Sequence, residues 1–280
     1  MKQKRIMTIQ DISCVGRCSL TVALPIISGA GIEASIIPTA VLSTHTGGFE
    51  NYTFKDLTDE ILPITKHWES LGLSFDAIYT GYLGSFEQIN IVSDVFKRFK
   101  SEDNFILVDP AMADGGQLYG GFTEDFPKEM AKLCAQADII VPNLTEASFM
   151  LGEEYIDSCY DREYVENTVK KLYDLGPSGV ILTGISLQQG KLGVVSYDGV
   201  EINYYFTDKV QGYFHGTGDV YASTFLAAYI RKNDLHEAAK IAADFTVKCI
   251  EATDTVGSER RYGVNFESCF PDLLRLLEII

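Results

Sequence analysis

A chain of 280 residues, 46% apolar and 22% charged, has the composition of a globular protein with room for one large α/β domain or two small ones. Its 39 acids against 23 lysines and arginines give a net charge of −16, which argues against nucleic acid or an anionic membrane surface as a partner. No apolar stretch approaches the ~20 residues of a spanning helix. The opening Met1-Lys2-Gln3-Lys4-Arg5 leads into an apolar run too short for a signal peptide. Six scattered cysteines form no zinc set and read as free thiols in a reducing compartment. A cytoplasmic protein is expected.

Short β-branched runs alternate with amphipathic ones. Strands are predicted at 5–9, 34–42, 77–80, 105–108, 139–141 and 180–182, and helices at 20–27, 57–71, 88–99, 128–135 and 164–175. Apolar strands separated by helices indicate a mostly parallel sheet covered on both faces, an α/β sandwich of three layers. The pattern then changes to an alternating hairpin, 192–197 and 200–206, joined by Asp198-Gly199 as a two-residue turn. Helices at 220–230, 235–250 and 270–277 follow. With no repeat or linker, residues 1–280 read as a single domain.

Ligands of open parallel sheets bind outside the carboxyl ends of the strands. Here that edge receives Gln10-Asp11, Thr80-Gly81-Tyr82, Asp109-Pro110, Pro142-Asn143-Leu144-Thr145-Glu146 and Thr183-Gly184, one small or polar group after each of five strands. Further on, His215-Gly216-Thr217-Gly218-Asp219 precedes an apolar helical run. Glycines before a helix start make an anion pocket, because the first N–H groups are unpaired and the helix end is partly positive. Asp219 would hold or deprotonate a hydroxyl there, or simply cap the helix. A helix N-terminus is expected to lower its pKa. Asp109 and Asp114, on one loop, offer oxygen to Mg²⁺ beside a phosphate pocket. Glu146 would hold metal water and Asn143 a phosphate; the alternative is Thr145 as a helix cap with Glu146 complementing the dipole. In Ser43-Thr44-His45-Thr46-Gly47-Gly48-Phe49, His45 reads as a residue that fixes backbone rather than a general base. Tyr82 stacks on a substrate ring or packs in the core. Lys232, Arg260 and Arg261 read as solvated surface.

The segments Thr80-Gly81-Tyr82-Leu83-Gly84-Ser85, Asp109-Pro110-Ala111-Met112, Pro142-Asn143-Leu144-Thr145-Glu146-Ala147 and Gly216-Thr217-Gly218-Asp219 resemble, in order, those of the ribokinase-like superfamily. Gly-Tyr-Leu-Gly-Ser and Ser-x-His-Thr-Gly narrow the resemblance to the vitamin kinases, most closely the pyridoxal, pyridoxine and pyridoxamine kinases. The resemblance implies a homodimer of αβα sandwiches moving the γ-phosphoryl of ATP to the vitamin's 5′-hydroxymethyl group. Asp219 would be the base, with Gly216, Thr217 and Gly218 as the anion hole. Asp109, Asp114 and Glu146 would serve Mg²⁺, Glu146 through water, and Asp109 with Thr183 would lie near a monovalent cation such as K⁺. Asn143, Thr183, Tyr119 and Thr217 would contact ATP, and 114–121 would close over it. Asp11, Leu42, Thr46 and Tyr82 would line the vitamin pocket. Asp11-Ile12-Ser13 departs from the Ser-His of many pyridoxal kinases and resembles hydroxymethylpyrimidine kinases, the alternative activity. A non-catalytic vitamin- or nucleotide-binding regulator is the alternative from another class.

Overall fold

The computed structural model describes residues 3–255 and 260–280. In chain order the elements begin β1 (Arg5–Ser13), α1 (Leu20–Gly29), β2 (Glu33–Leu42), β3 (Phe54–Asp56), α2 (Thr58–Ser70), β4 (Ala77–Thr80), α3 (Phe86–Phe99) and β5 (Phe105–Val108). Next come β6 (Ala113–Asp114), β7 (Gln117–Leu118), α4 (Phe126–Cys134), β8 (Ile139–Ile140), α5 (Leu144–Leu151), α6 (Arg162–Tyr173) and β9 (Gly179–Ile185). The antiparallel pair β10 (Lys191–Tyr197) and β11 (Ile202–Asp208) is followed by α7 (Thr217–Lys232), α8 (Leu235–Thr255) and α9 (Phe270–Leu276).

One nine-stranded sheet runs β11-β10-β9-β8-β5-β4-β1-β2-β3. Its middle, from β2 to β9, is parallel, and β3, β10 and β11 add antiparallel edges. Alternating strand residues feed opposite faces, the two-residue period of a strand buried on both sides. Ala77, Tyr79, Leu107 and Ile181 pack with α1, α7, α8 and α9, whereas Ile78, Ile106, Val108 and Leu182 pack against the layer from α2 to α6. The αβα sandwich expected from the alternating pattern is the architecture found.

Strand order reverses at β1, which lies between β2 and β4, so the crevice of the fold opens at the carboxyl end of β1. There β1 is longer than its apolar run suggests. Gln10 and Asp11 belong to the strand itself, beside a register shift between Gln10 and Ile12. Such an irregularity re-aims side chains, and it explains why the polar pair looked like a strand end. Pro38 is tolerated in β2 because the outer strand β3 pairs only with Ala40, Val41 and Leu42.

Other boundaries depart from the periodicity for local reasons. β3 is exposed along all three residues and the β6–β7 hairpin has two residues per strand, so neither leaves an alternating signal. The β10–β11 register pairs Tyr197 with Ile202, which makes the connection four residues long. The Asp198 carboxylate accepts from Val200 N at 2.9 Å and Glu201 N at 2.8 Å, replacing the expected two-residue turn with a side-chain-held loop. At α5 the cap is Asn143, not Thr145. Asn143 Oδ1 accepts from Glu146 N at 2.9 Å while Glu146 Oε2 accepts from Asn143 N at 2.8 Å, a reciprocal capping box.

The start of α7 is fixed by a close approach. Gly216 has φ 73°, and a Cβ there would lie 2.0 Å from the Arg17 carbonyl oxygen. Gly31 has a similar φ of 79° with nothing within 4 Å. Gly31→Ala should therefore cost only the left-handed backbone penalty of about 1–2 kcal/mol. Gly216→Ala should add to that an overpacking cost of roughly 1–3 kcal/mol. Urea unfolding of the two variants checks the difference; equal losses would mean the approach of Arg17 is not constraining.

Candidate active site at the carboxyl edge of the sheet

Asp219 stands in the first turn of α7, whose N-cap Gly216 supplies no side-chain cap. The first N–H groups of a helix lack partners within it. Gly218 is exposed, and nothing lies within 4 Å of its Cβ direction, so a ligand can approach the backbone there. Thr217 Oγ1 is turned back to the Phe214 carbonyl at 3.3 Å. Glycines, threonine and acid thus form one turn with an open side.

The expectation that the helix end would lower the pKa of Asp219 is overturned. Burial raises it to about 7, the Ser19 backbone N–H opposes this by hydrogen bonding to the carboxylate, and the Asp11 charge raises it further. Desolvation outweighs the field of one helix end, whose effect falls off within a turn. The residue is nonetheless only half-buried.

Asp109, at the end of β5, is 8% exposed. Burial first, then the charges of Glu146 and Asp219, hold its carboxyl well above the usual range. That mutual influence brings Asp109, Glu146 and Asp219 to one rim. Burial pushes Glu146 up to about 7 against hydrogen bonds from the Asn143, Met112 and Ala113 amides, and Asp114 adds to the rise. Its two oxygens are engaged, Oε1 by Met112 N at 3.0 Å and Oε2 by Asn143 N at 2.8 Å. Each Glu146 oxygen thus already carries one backbone hydrogen bond. Among the described residues, no group of three or more His, Cys, Asp or Glu is placed to hold a metal alone. The oxygen donors fit an ion shared with substrate phosphates and water, the usual arrangement for Mg²⁺, rather than a protein cage.

Asn143 is also partly committed. Its Nδ2 donates to the Ala113 carbonyl at 2.8 Å, which ties α5 to the β6–β7 hairpin and leaves one amide hydrogen free for a ligand. Gly116 N donates to Thr145 Oγ1 at 3.1 Å, so the segment 114–121 begins as an anchored hairpin. Thr183 joins Asn143 through a parallel bridge and donates weakly to the Pro142 carbonyl at 3.4 Å. Tyr119 is 37% exposed, and burial followed by Glu146, Asp114 and Asp109 raises its phenol. Tyr213, which no motif singles out, also reaches this group: burial first, then the charge of Asp114, push its phenol up to about 12.

Asp11, whose charge also raises Asp219, belongs to a second group of side chains. Asp11 is 4% exposed and accepts from Ser13 Oγ at 3.3 Å. Tyr82 is raised to about 12 by burial and then by Asp11 and Tyr52, and its ring tilts against Phe122 with centroids 5.5 Å apart. Leu42 is buried at the end of β2, and Thr46 is exposed in the loop beyond it. In that loop His45 fixes backbone as expected: Nδ1 accepts from Gly47 N at 3.1 Å, which leaves Nε2–H to donate to the Arg261 carbonyl at 2.6 Å. Arg261 is exposed, as expected, and lies over the Phe49 and Tyr262 rings. Lys232 pairs with Glu278 at 2.8 Å, and the Arg260 side chain is outside the described residues.

Residues 26–264 match the family model described as phosphomethylpyrimidine kinase. The hydroxymethylpyrimidine/phosphomethylpyrimidine kinase of Aquifex aeolicus is 34% identical over 181 residues, 63% of this chain and 68% of that protein. A crystal structure from Bacteroides thetaiotaomicron, described as a phosphomethylpyrimidine kinase in a form with pyridoxal, is 37% identical with a TM-score of 0.92, covering 97% of this chain and 96% of that one. The pyridoxal kinase of Lactobacillus plantarum is 26% identical with a TM-score of 0.90, covering 99% and 98%. Among the described residues no helix is long and apolar enough to cross a membrane. Matched over most of its length by this family of kinases, the chain belongs to the phosphomethylpyrimidine kinase family within the ribokinase-like superfamily.

Proposed function

We propose that the protein transfers the γ-phosphoryl group of ATP to the 5′-hydroxymethyl group of pyridoxal, pyridoxine or pyridoxamine. The observation that carries this reading is the position of Asp219, in the first turn of α7 and within electrostatic reach of both Asp109 and Asp11. Asp219 takes the hydroxyl proton as the alcohol oxygen bonds to the γ-phosphorus and the bond to the β,γ-bridging oxygen breaks, releasing ADP. Phosphoryl transfer needs positioning and charge neutralisation more than covalent work by the protein. The amides of Gly216, Thr217 and Gly218 would receive the transferring group.

Asn143, Thr183, Tyr119 and Thr217 would contact the nucleotide. Mg²⁺ would be held by Asp109 and Asp114 with the phosphates, Glu146 acting through water, and would neutralise phosphate charge. Asp109 and Thr183 would flank a monovalent cation such as K⁺. Asp11 would accept a hydrogen bond from a ring N–H or an amine of the vitamin, Tyr82 would face the ring, and Leu42 and Thr46 would wall its pocket. The active form would be a homodimer.

The likeness to a structure described with pyridoxal at 37% identity favours the B6 vitamers. The family model and the Aquifex aeolicus relative favour a second reading, the same transfer to hydroxymethylpyrimidine or its phosphate. ADP release with Mg-ATP and pyridoxal, pyridoxamine, pyridoxine or hydroxymethylpyrimidine, assayed in parallel, separates them. Preference for a B6 vitamer is expected; turnover confined to the pyrimidine would transfer the assignment.

Asp219→Asn should leave ATP affinity within a few-fold and lower turnover by roughly 10²–10⁴, the contribution of a positioned base. A variant with most of its turnover would remove Asp219 from the mechanism. With a base near pH 7, kcat/KM for the vitamin should rise with pH through about 7 and then level off. The stability effect has the opposite sign. A carboxyl that is raised in the fold binds its proton more tightly than in the unfolded chain, so its penalty is absent below about pH 4 and full above about 7. Thermal unfolding should therefore show Asp219→Asn more stable than the parent at pH 8, with the gap closing towards pH 4.

A further inference from the structure

Gln88, in the first turn of α3, is 1% exposed, and its side chain makes three hydrogen bonds. The run Ser85-Phe86-Glu87-Gln88 has the form of a capping box, in which the glutamine would reach back to the backbone N–H of the capping serine. Only half of that box forms. Ser85 Oγ accepts from Gln88 N at 3.1 Å. The Gln88 amide serves other groups: Oε1 accepts from Gly84 N at 2.7 Å, and Nε2 donates to Thr58 Oγ1 at 2.9 Å and to the Thr39 carbonyl at 3.2 Å. One buried amide thus ties together the loop after β4, the first residue of α2 and the middle of β2.

These segments lead to residues proposed to meet the vitamin ring. Gly84, held by Gln88, lies beside the Tyr82 ring: a Cβ built on it would be 3.5 Å from Tyr82 Cε1 and 3.8 Å from the phenol oxygen. Tyr82 itself is half-buried, with Phe122 as its ring neighbour. Thr39 precedes Leu42, the last residue of β2, by three positions. The Thr39 carbonyl also accepts from Leu57 N at 3.0 Å, so β2 and the start of α2 are joined without Gln88. Ser85 likewise caps α3 without the Gln88 amide. What the amide adds is the attachment of the loop 81–85, for which it offers an acceptor on one side and two donors on the other.

We propose that Gln88 is a positioning residue for ring recognition: by fixing Gly84 to β2 and α2 it holds the loop 81–85, and with it Tyr82, in a set relation to Leu42. This rests on the proposed places of Tyr82 and Leu42 against the ring, and it applies to a pyridine and a pyrimidine alike. Gln88 acts on the ring through Tyr82. None of its hydrogen bonds goes to a residue assigned to ATP or Mg²⁺, so nucleotide binding is independent of it.

The test is Gln88→Met, which keeps the length of the side chain and removes all three of its hydrogen bonds. Pyridoxal, hydroxymethylpyrimidine and Mg-ATP are each titrated calorimetrically. The Kd of the ring that the parent binds should rise roughly tenfold, as expected when a buried N–H loses its acceptor, while the Kd for Mg-ATP stays within about twofold. At saturating vitamin kcat should fall by less than about threefold, so the loss appears in KM. In a Tyr82→Ala background the same change should alter the ring Kd by less than about twofold, because coupled residues are not additive. Thr58→Val removes one acceptor of Nε2 and leaves the bond to Gly84; it should raise the ring Kd about threefold and decides the matter if Gln88→Met does not fold. An unchanged ring Kd in the folded variant, an undiminished effect in the Tyr82→Ala background, or equal losses for ring and Mg-ATP would overturn the proposal. Ring binding with this coupling but without phosphorylation would sink the kinase reading and leave the role of Gln88 standing. A chain that binds neither ring sinks both.

Discussion

The contact between the first turn of α7 and the segment Arg17–Ser19 is the constraint on which the site depends. Gly216 lets the α7 backbone come so near the Arg17 carbonyl that no side chain fits between them. Asp219, three residues on in the same turn, comes under the influence of the Ser19 amide and the Asp11 charge. It also leaves the outer side of Gly218 open. One packing event therefore aims an acid at the cleft and exposes unpaired amides beside it. Both faces of the sandwich contribute, since α7 packs on one side of the sheet while the capping box of α5 secures Glu146 on the other.

Such a rim concentrates buried carboxyls whose charges oppose one another. Asp109, Glu146 and Asp219 each have raised pKa values, for the common reason that burial opposes charge and near neighbours repeat it. Groups perturbed in this way cluster where chemistry is done. A cation accompanied by phosphate would relieve the Asp109–Glu146 repulsion, while an alcohol proton suits an acid whose pKa lies near 7. The net charge of −16 argues against large anionic partners but not against a small one. Exposed charges are largely screened beyond about 10 Å at 0.1 M salt, whereas the amides of a helix start act at contact.

Much of this was legible in the chain because period and position carry it. Ala77–Thr80 and Phe105–Val108 read as strands from their apolar runs alone, and the polar residues after them fell on one edge as parallel topology requires. Elements with no period were not legible: Phe54–Asp56 is a strand because Ala40–Leu42 needs an outer partner, not because its own side chains demand it. The resemblance to vitamin kinases named the acids, but it could not give their ionisation. The raised Asp219 depends on burial and on Asp11, more than two hundred positions away in sequence.

The central claim, that this edge brings a nucleotide phosphate and a vitamin alcohol together at Asp219, is tested most directly by phosphorus NMR of the products formed from Mg-ATP and pyridoxal. The account predicts stoichiometric conversion of the γ-phosphate signal into a phosphate monoester on the vitamin's 5′-methylene, with ADP appearing at the same rate. ADP accompanied only by inorganic phosphate, or no transfer to pyridoxal, pyridoxine, pyridoxamine or hydroxymethylpyrimidine at saturating concentrations, would contradict it.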